Sequence, residues 1–324
     1  MIHQYKSNGY DIVMDVNSGA VHVVDDVTYD VISLYEELDS DSIVEKLKDT
    51  YATNDILEAI EEVEQLKNGQ LFTEDIYQPF VEKFKESRQT VVKALCLHIA
   101  HDCNLACKYC FAEEGEYHGR RELMSFEVGK KALDFLVKNS GNRVNLEVDF
   151  FGGEPLMNWD VVKQLVEYGR SLEEPNNKKF RFTLTTNGVL LNDEIMEFLN
   201  KEMSNVVLSL DGRKEVNDNM RPKFQKLAES RNQTNYYIRG TFTRNNLDFS
   251  EDIKHFADLG FKQMSIEPVV GPEEDPYSIR EEDLPKIMEE YDKLALEYIK
   301  REKEGRGFNF FHFMIDLNQG PCVY

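Results

Sequence analysis

A chain of 324 residues with 38 Lys plus Arg against 60 Asp plus Glu carries a formal charge of -22, which argues against sequence-independent binding to nucleic acid or to an anionic membrane surface. The length allows more than one domain, at roughly 100 to 200 residues each. No uninterrupted run of about 18 apolar residues occurs, so no transmembrane helix is predicted. The opening Met1-Ile-His-Gln-Tyr-Lys6 lacks the apolar stretch of a signal peptide, and unpaired thiols need a reducing compartment, so the cytoplasm is the expected location.

Two β-rich runs, 10–15 and 20–24, are joined by Asn17-Ser18-Gly19, a turn sequence that predicts a hairpin. Helical patterns follow over 27–38, 41–51 and 55–68, with apolar residues three and four apart and Gly69 as the stop. Residues 1–73 therefore read as a small winged-helix-like α+β domain. Its size and order resemble the recognition element fused to many peptide-modifying enzymes. That resemblance implies a ribosomal precursor peptide bound through its leader, which adds as an extra strand to the sheet edge. A winged helix that binds nucleic acid is the competing reading, and Asp41, Glu45, Asp49, Glu58, Glu61 and Glu62 on its helices disfavour it. Residues 74–93 read as a helical bridge, with the helix over 79–88.

From residue 94 the pattern changes. Apolar β-runs at 95–100, 144–151, 180–186, 205–210, 236–243 and 263–270 alternate with helical patterns at 126–138, 160–172, 193–200, 222–230, 250–259 and 284–302. Six β/α repeats predict a parallel sheet with crossover helices, short of the eight of a closed barrel. In such folds the active site gathers at the C-terminal ends of the strands.

Three of the five cysteines, Cys103, Cys107 and Cys110, lie in C-N-L-A-C-K-Y-C directly after the first of these strands. Three soft thiolates on one loop can hold three corners of an iron-sulfur cube and leave one iron open to an outside ligand. A structural zinc site completed by His101 or His118 is the alternative, but no second C-x2-C pair exists in the chain. A disulfide would leave one of the three unpaired. The C-x3-C-x2-C spacing, with Tyr109 before the last cysteine, resembles the cluster loop of the radical S-adenosylmethionine (SAM) enzymes. The resemblance implies a 4Fe-4S cluster on the three cysteines, SAM on the open iron, and cleavage of SAM to a 5'-deoxyadenosyl radical. It also implies a partial (β/α)6 TIM-like barrel, here over 94–304, with the cluster loop after its first strand.

Gly152-Gly153-Glu154-Pro155 closes the second predicted strand. Two glycines let a ligand approach the backbone, and Glu154 offers an acceptor to an ammonium group. This matches the family's G-G-E-P motif, which implies that Gly152, Gly153 and Glu154 hold the amino group of SAM. Asn187 and Ser209, at the next two strand ends, supply polar groups suited to the SAM ribose and carboxylate, although either type also bonds its own turn. Arg239 in the fifth strand would face the SAM carboxylate or an ordinary acidic partner. Glu267, at the end of the sixth, would flank adenine through its backbone. Cys96, inside the first strand, reads as a buried inert thiol, and the methionines as core filler. No His spacing points to a metal.

Gln319-Gly-Pro-Cys-Val-Tyr324 places Cys322 after a Gly-Pro turn. Residues 305–324 resemble the start of a SPASM domain, which implies auxiliary 4Fe-4S clusters with Cys322 as a ligand. The further cysteines of that domain are not in the sequence, so the protein is either naturally short or represented here without its C-terminal part. Related enzymes also carry a glycine-rich stretch after the position of Pro222, where this chain passes straight to Lys223-Phe224-Gln225. The combination resembles SPASM-type peptide maturases, and most of all the maturases of SCIFF peptides. It implies a thioether between a cysteine sulfur and a backbone carbon of a cysteine-rich precursor, with ferredoxin or flavodoxin as electron donor. An anaerobic sulfatase-maturating, formylglycine-forming enzyme is the alternative within the class. A non-enzymatic metal-binding winged-helix regulator is the alternative outside it. No residue is identified as a base.

Overall fold

The computed structural model describes residues 1–75, 81, 91–213 and 221–314, which fall into two compact units, one up to residue 81 and one from residue 91 to Met314. Cys322, most of the bridge over 74–93 and the stretch before Arg221 lie outside the described residues.

The first unit begins with a strand that the sequence reading did not anticipate. β1 (Ile2–Ser7) pairs antiparallel with β2 (Tyr10–Asp15), Ser7 opposite Tyr10. The link is Asn8-Gly9, both at positive φ, 51° and 79°, the combination of a two-residue hairpin whose twist matches its strands. β3 (Val21–Val24) pairs with the other side of β2, so β1 and β3 are the two sheet edges. Helices α1 (Asp26–Leu34), α2 (Ser40–Leu47) and α3 (Thr53–Leu66) follow. Asp25 and Asp39 cap the first two through their carboxylates. Val13, Val31, Ile32, Ile43, Ile56 and Val63 form the core. The fully buried Asp15 accepts from the amide of Thr73 at 2.8 Å and from its hydroxyl at 2.8 Å, which ties the end of the unit to the hairpin. A three-stranded antiparallel sheet with three helices makes an α+β unit, consistent in layout with the expectation.

In the second unit six parallel strands stand side by side in chain order: β4 (Ala94–His101), β6 (Asn145–Gly152), β7 (Lys179–Thr186), β8 (Met203–Ser209), β9 (Tyr236–Phe242) and β10 (Gln263–Pro268). The intervening helices are α4 (Phe126–Asn139), α5 (Trp159–Asn176), α6 (Asp193–Glu202), α7 (Arg221–Ser230) and α8 (Phe249–Asp258), and α9 (Leu284–Lys303) follows β10. Every crossover steps the same way across the sheet, the order of a barrel wall rather than of a doubly wound sheet. Two short edge strands were not anticipated. β5 (Glu122–Leu123) pairs antiparallel with β4, and β11 (Asn309–Phe310) pairs parallel with β10. Residues 309–310 thus belong to this sheet.

The strands alternate. Val148, Phe150, Phe182, Leu184, Val206, Leu208, Ile238 and Ile266 are buried against Leu133, Leu165, Leu199, Leu227 and Phe256 of the helices. The residues between them, such as Asp149, Thr183, Ser209, Arg239 and Glu267, face the other way and line cavities. A parallel sheet covered on both faces would read as continuous apolar runs; here one face is helix-packed and the other polar. Among the described residues no helix is long and apolar enough to cross a membrane.

Candidate active site

The C-terminal ends of the strands enclose a cavity of about 420 Å³. Cys103, Cys107 and Cys110 line it from the loop after β4, and Gly152, Gly153, Asn187, Ser209, Arg239 and Glu267 line it from later strand ends. Nine of the residues singled out from the sequence therefore meet in one chamber.

The loop is stitched to the end of β6 by its backbone. Gly153 N–H donates to Ala100 O at 2.7 Å and Glu154 N–H to Asp102 O at 2.9 Å. A Cβ at Gly152 would lie 2.4 Å from Ala100 O, and one at Gly153 2.1 Å from Asp102 O. Gly152 also has φ +121°, where an L side chain is strained. The two glycines are therefore needed first for the approach of one strand end to another, a reason different from the ligand approach expected from the sequence.

Glu154 departs further from expectation. It is 1 % exposed and does not line the cavity. Its Oε1 accepts from Leu156 N–H at 3.0 Å and Thr186 Oγ1 at 2.8 Å, and its Oε2 accepts from Asn187 N–H at 2.8 Å. Burial raises its pKa, and these three donors pull the other way. With both oxygens engaged inside the protein, the carboxylate fixes the start of the 3-10 turn Pro155–Asn158 and the end of β7.

Asn187, so held, donates from Nδ2 to Asn104 Oδ1 at 2.8 Å and reaches Cys103 Sγ at 3.8 Å. Ser209 and Arg239 stand on the open wall, and the described residues place no hydrogen-bond or ion-pair partner on the Arg239 guanidinium, whose backbone carbonyl accepts from Leu210 N–H at 3.0 Å. Its charge acts on Asp149 and Glu267. The sequence reading missed Asp211, which lines the cavity, accepts from Thr241 N–H at 3.0 Å and from the hydroxyl of Tyr109. It stands two residues after Ser209, on the same side of the chain, a period-two signal that could have revealed it. Burial, then the charge of Asp211, pushes the Tyr109 hydroxyl far up. The same two causes push the Cys107 thiol up to about 11; ligation to a metal would deprotonate it outright.

Cys96 is not buried, contrary to expectation. It is exposed on the inner face of β4, opposite Asp149 in register, at a second cavity of about 650 Å³ around the N-terminal strand ends. The two candidate zinc-completing histidines are engaged elsewhere: His101 Nε2 lies 3.3 Å from His98 Nδ1, and His118 pairs with Glu113 at 2.8 Å. Among the described residues no three Cys, His, Asp or Glu side chains converge as a single-ion site requires. Three soft thiols spread along one cavity wall, without a fourth ligand among the described residues, suit an iron-sulfur cluster with an open position.

Barrel-ordered strands, a three-thiol loop after the first of them and a polar chamber at their C-terminal ends form a site of the kind that holds a cluster-bound cofactor. The chain belongs to the Radical SAM superfamily, which it matches over residues 97–281, more than half its length. The enzymes of that superfamily use a 4Fe-4S cluster and SAM, a pairing that three thiols on one cavity wall would suit. The chain is 27% identical over 188 residues to the radical SAM cyclopropyl synthase TigE of Paramaledivibacter caminithermalis, covering 51% of this chain and 39% of the relative. It is 28% identical over 203 residues to the cysteine-type anaerobic sulfatase-maturating enzyme of Clostridium novyi, covering 56% and 54%. The crystal form "Native anSMEcpe with bound AdoMet and Cp18Cys peptide" shares the fold at a TM-score of 0.57 and 23% identity, over 68% of this chain and 64% of that one. The chain thus spans less than two thirds of each of these proteins.

Proposed function

We propose that the protein is a peptide maturase that joins a cysteine sulfur to a backbone carbon in a cysteine-rich ribosomal precursor, recognised through its leader by residues 1–73. Cys103, Cys107 and Cys110 would hold the 4Fe-4S cluster, and Gly152, Gly153, Asn187, Ser209, Arg239 and the backbone of Glu267 the SAM. When bound, these groups supply the hydrogen-abstracting radical, and the chain's own task is to bind, orient and exclude water. Electrons would come from ferredoxin or flavodoxin, and auxiliary clusters would be held further along, beginning at Cys322.

The observation that carries the peptide reading is the edge strand β3. Val21 and Val23 are exposed on it, Val23 to 64 %. A natural edge is usually blunted by charge or covered; an apolar one that no described residue pairs with is a template for an added strand, with main-chain hydrogen bonds for affinity and pockets for alternate side chains. Named relatives that act on peptides or proteins, such as the sulfatase-maturating enzyme, support the same class. They equally favour formylglycine formation as a second reading, which needs no leader-binding edge.

The test is anaerobic reconstitution with iron and sulfide, then SAM, reductant and a leader-bearing cysteine-rich precursor, read by mass spectrometry. A loss of about two hydrogens per event with 5'-deoxyadenosine formation is expected. Conversion of a cysteine to an aldehyde would favour the second reading. Val21→Asp with Val23→Asp should weaken leader binding at least tenfold by fluorescence anisotropy, and unchanged binding would remove residues 1–73 as the recognition element.

A further inference from the structure

Glu267 has a side-chain role that its assignment as a backbone contact to the cofactor does not use. Its carboxylate lines the chamber that the three cysteines share. Behind it stands a chain of hydrogen bonds. His312 Nε2 lies 3.0 Å from Glu267 Oε2, and His312 Nδ1 lies 2.7 Å from the hydroxyl of Tyr291 on α9. Ser265, two residues back on β10, donates to Oε1. Burial acts to raise the Glu267 carboxyl, but the bonds from Ser265 and His312 outweigh it and hold it below its ordinary value, with Arg239 adding its charge.

That ionised carboxylate can only accept, which sets the direction of the whole chain. Nε2–H must donate to Glu267, so Nδ1 carries the lone pair and Tyr291 donates to it. Tyr291 is packed against Phe249 at 5.0 Å and Phe313 at 6.5 Å between ring centroids, which holds its hydroxyl in place. His312 itself sits in the short turn Phe311–Phe313 directly after β11, so this minor edge strand places the imidazole behind the sixth strand. A carboxylate inside a reaction chamber, an imidazole behind it and a hydroxyl behind that form a chain that fixes the orientation of the chamber-facing group. A structural salt bridge would need neither the chamber-facing position nor the third member.

We propose that Glu267 is the catalytic base that takes the proton from the substrate cysteine thiol, with His312 and Tyr291 as positioning residues. This rests on the thioether reading above. In the step the S–H bond breaks, its electron pair stays on sulfur as a thiolate, and the proton goes to a carboxylate oxygen of Glu267. No electron is gained or lost, so the step needs no oxidant. The added proton stays on the Glu267 carboxyl, which His312 Nε2–H and the Ser265 hydroxyl continue to hold in place. The second member matters because Nε2, 3.0 Å from Oε2, fixes how the carboxylate is presented to the chamber.

The experiment compares the native chain with Glu267→Gln and Tyr291→Phe, reconstituted and supplied with SAM, reductant and the leader-bearing precursor. The readout is cross-linked peptide per 5'-deoxyadenosine formed, from pH 6.5 to 9. Loss of a general base costs about 100-fold or more. For Glu267→Gln the ratio should fall by that order at pH 7 and recover as the pH passes about 8.5, where a thiol ionises unaided. A ratio within twofold of native, or a fall with no recovery at high pH, overturns the base assignment. Absence of cross-link from the native chain overturns the thioether reading instead. Nitrogen-15 NMR of His312 judges the direction of the hydrogen-bond chain without any turnover. A proton on Nε2 at neutral pH in the native chain, lost or exchanged to Nδ1 in Glu267→Gln, supports the chain of bonds, and a native Nδ1–H tautomer refutes it.

Discussion

Glu154→Gln separates two meanings of one carboxylate. If the group serves the protein, as its three internal donors indicate, the substitution acts on stability; if it serves the SAM ammonium, it acts on binding. An amide oxygen can replace only one of the two carboxylate oxygens. Turned toward Leu156 N–H and Thr186 Oγ1, it leaves the NH2 group against Asn187 N–H, donor to donor. The lost bond to a charged acceptor is worth about 1.5–3 kcal/mol, and the unmatched buried donor adds about 1–3 kcal/mol. Removing a buried charge returns part of this, because burial already disfavours the ionised form. A net loss of about 2–3 kcal/mol follows, which in a unit of 150–250 residues lowers Tm by roughly 4–12 °C. Differential scanning calorimetry of the full chain gives that number, and titration calorimetry of the anaerobically reconstituted protein gives SAM affinity. An unchanged Tm beside a 100-fold loss of SAM affinity would refute the reasoning and return Glu154 to the ligand.

Two other expectations are simpler to check. Cys107→Ala leaves two thiols for the cube, so iron and sulfide per chain after reconstitution should fall to background, and a retained 4Fe-4S absorption would undo the cluster assignment. Glu290, on α9, is buried; burial would raise its carboxyl, but Lys293 at 2.8 Å, Ser250 and Lys286 at 3.1 Å hold it at about 2. A folded value below the unfolded one stabilises above about pH 4.5, and the contribution is lost as pH falls toward 2. With both lysines partly in solvent the contribution is about 1–2 kcal/mol. The urea-midpoint difference between native and Glu290→Gln should therefore close over that window, and a difference constant with pH would contradict the pairing.

The six β/α repeats were legible because each strand carries its own apolar alternation and each helix its three-and-four spacing. The boundaries differ by only a few residues from 126–138 to Phe126–Asn139 and from 193–200 to Asp193–Glu202. What escaped was of two physical kinds. β1, β5 and β11 hold few apolar residues, and β5 and β11 are two residues long; their pairing is decided by a neighbouring edge, except that Asn8-Gly9 was a hairpin signal in plain view. The other kind is orientation. Cys96 and His98 alternate with Leu97 and Ile99, and the run was read as uniformly apolar when its polar members face the inside. Likewise Gly152-Gly153 was legible as a close approach, but not that the approaching group is the carbonyl of Ala100 or Asp102. The site's cysteines needed no such help, since three ligands on one short loop are close in space by connectivity alone.

The two-sided character of the sheet separates what must stay from what can change. Phe182, Leu208 and Ile238 are committed to the helices, while Thr183, Val207 and Tyr237, their immediate neighbours in sequence, are only partly covered on the other side. A substitution among the second set alters the shape and polarity of the interior without opening a hole in the core, so it escapes the several kcal/mol that a large-to-small change in the first set would exact. Lineages of such a chain can therefore drift in what the interior accepts while the scaffold and its cysteine loop are inherited intact, and a library randomised at inward positions alone should keep most of its members folded.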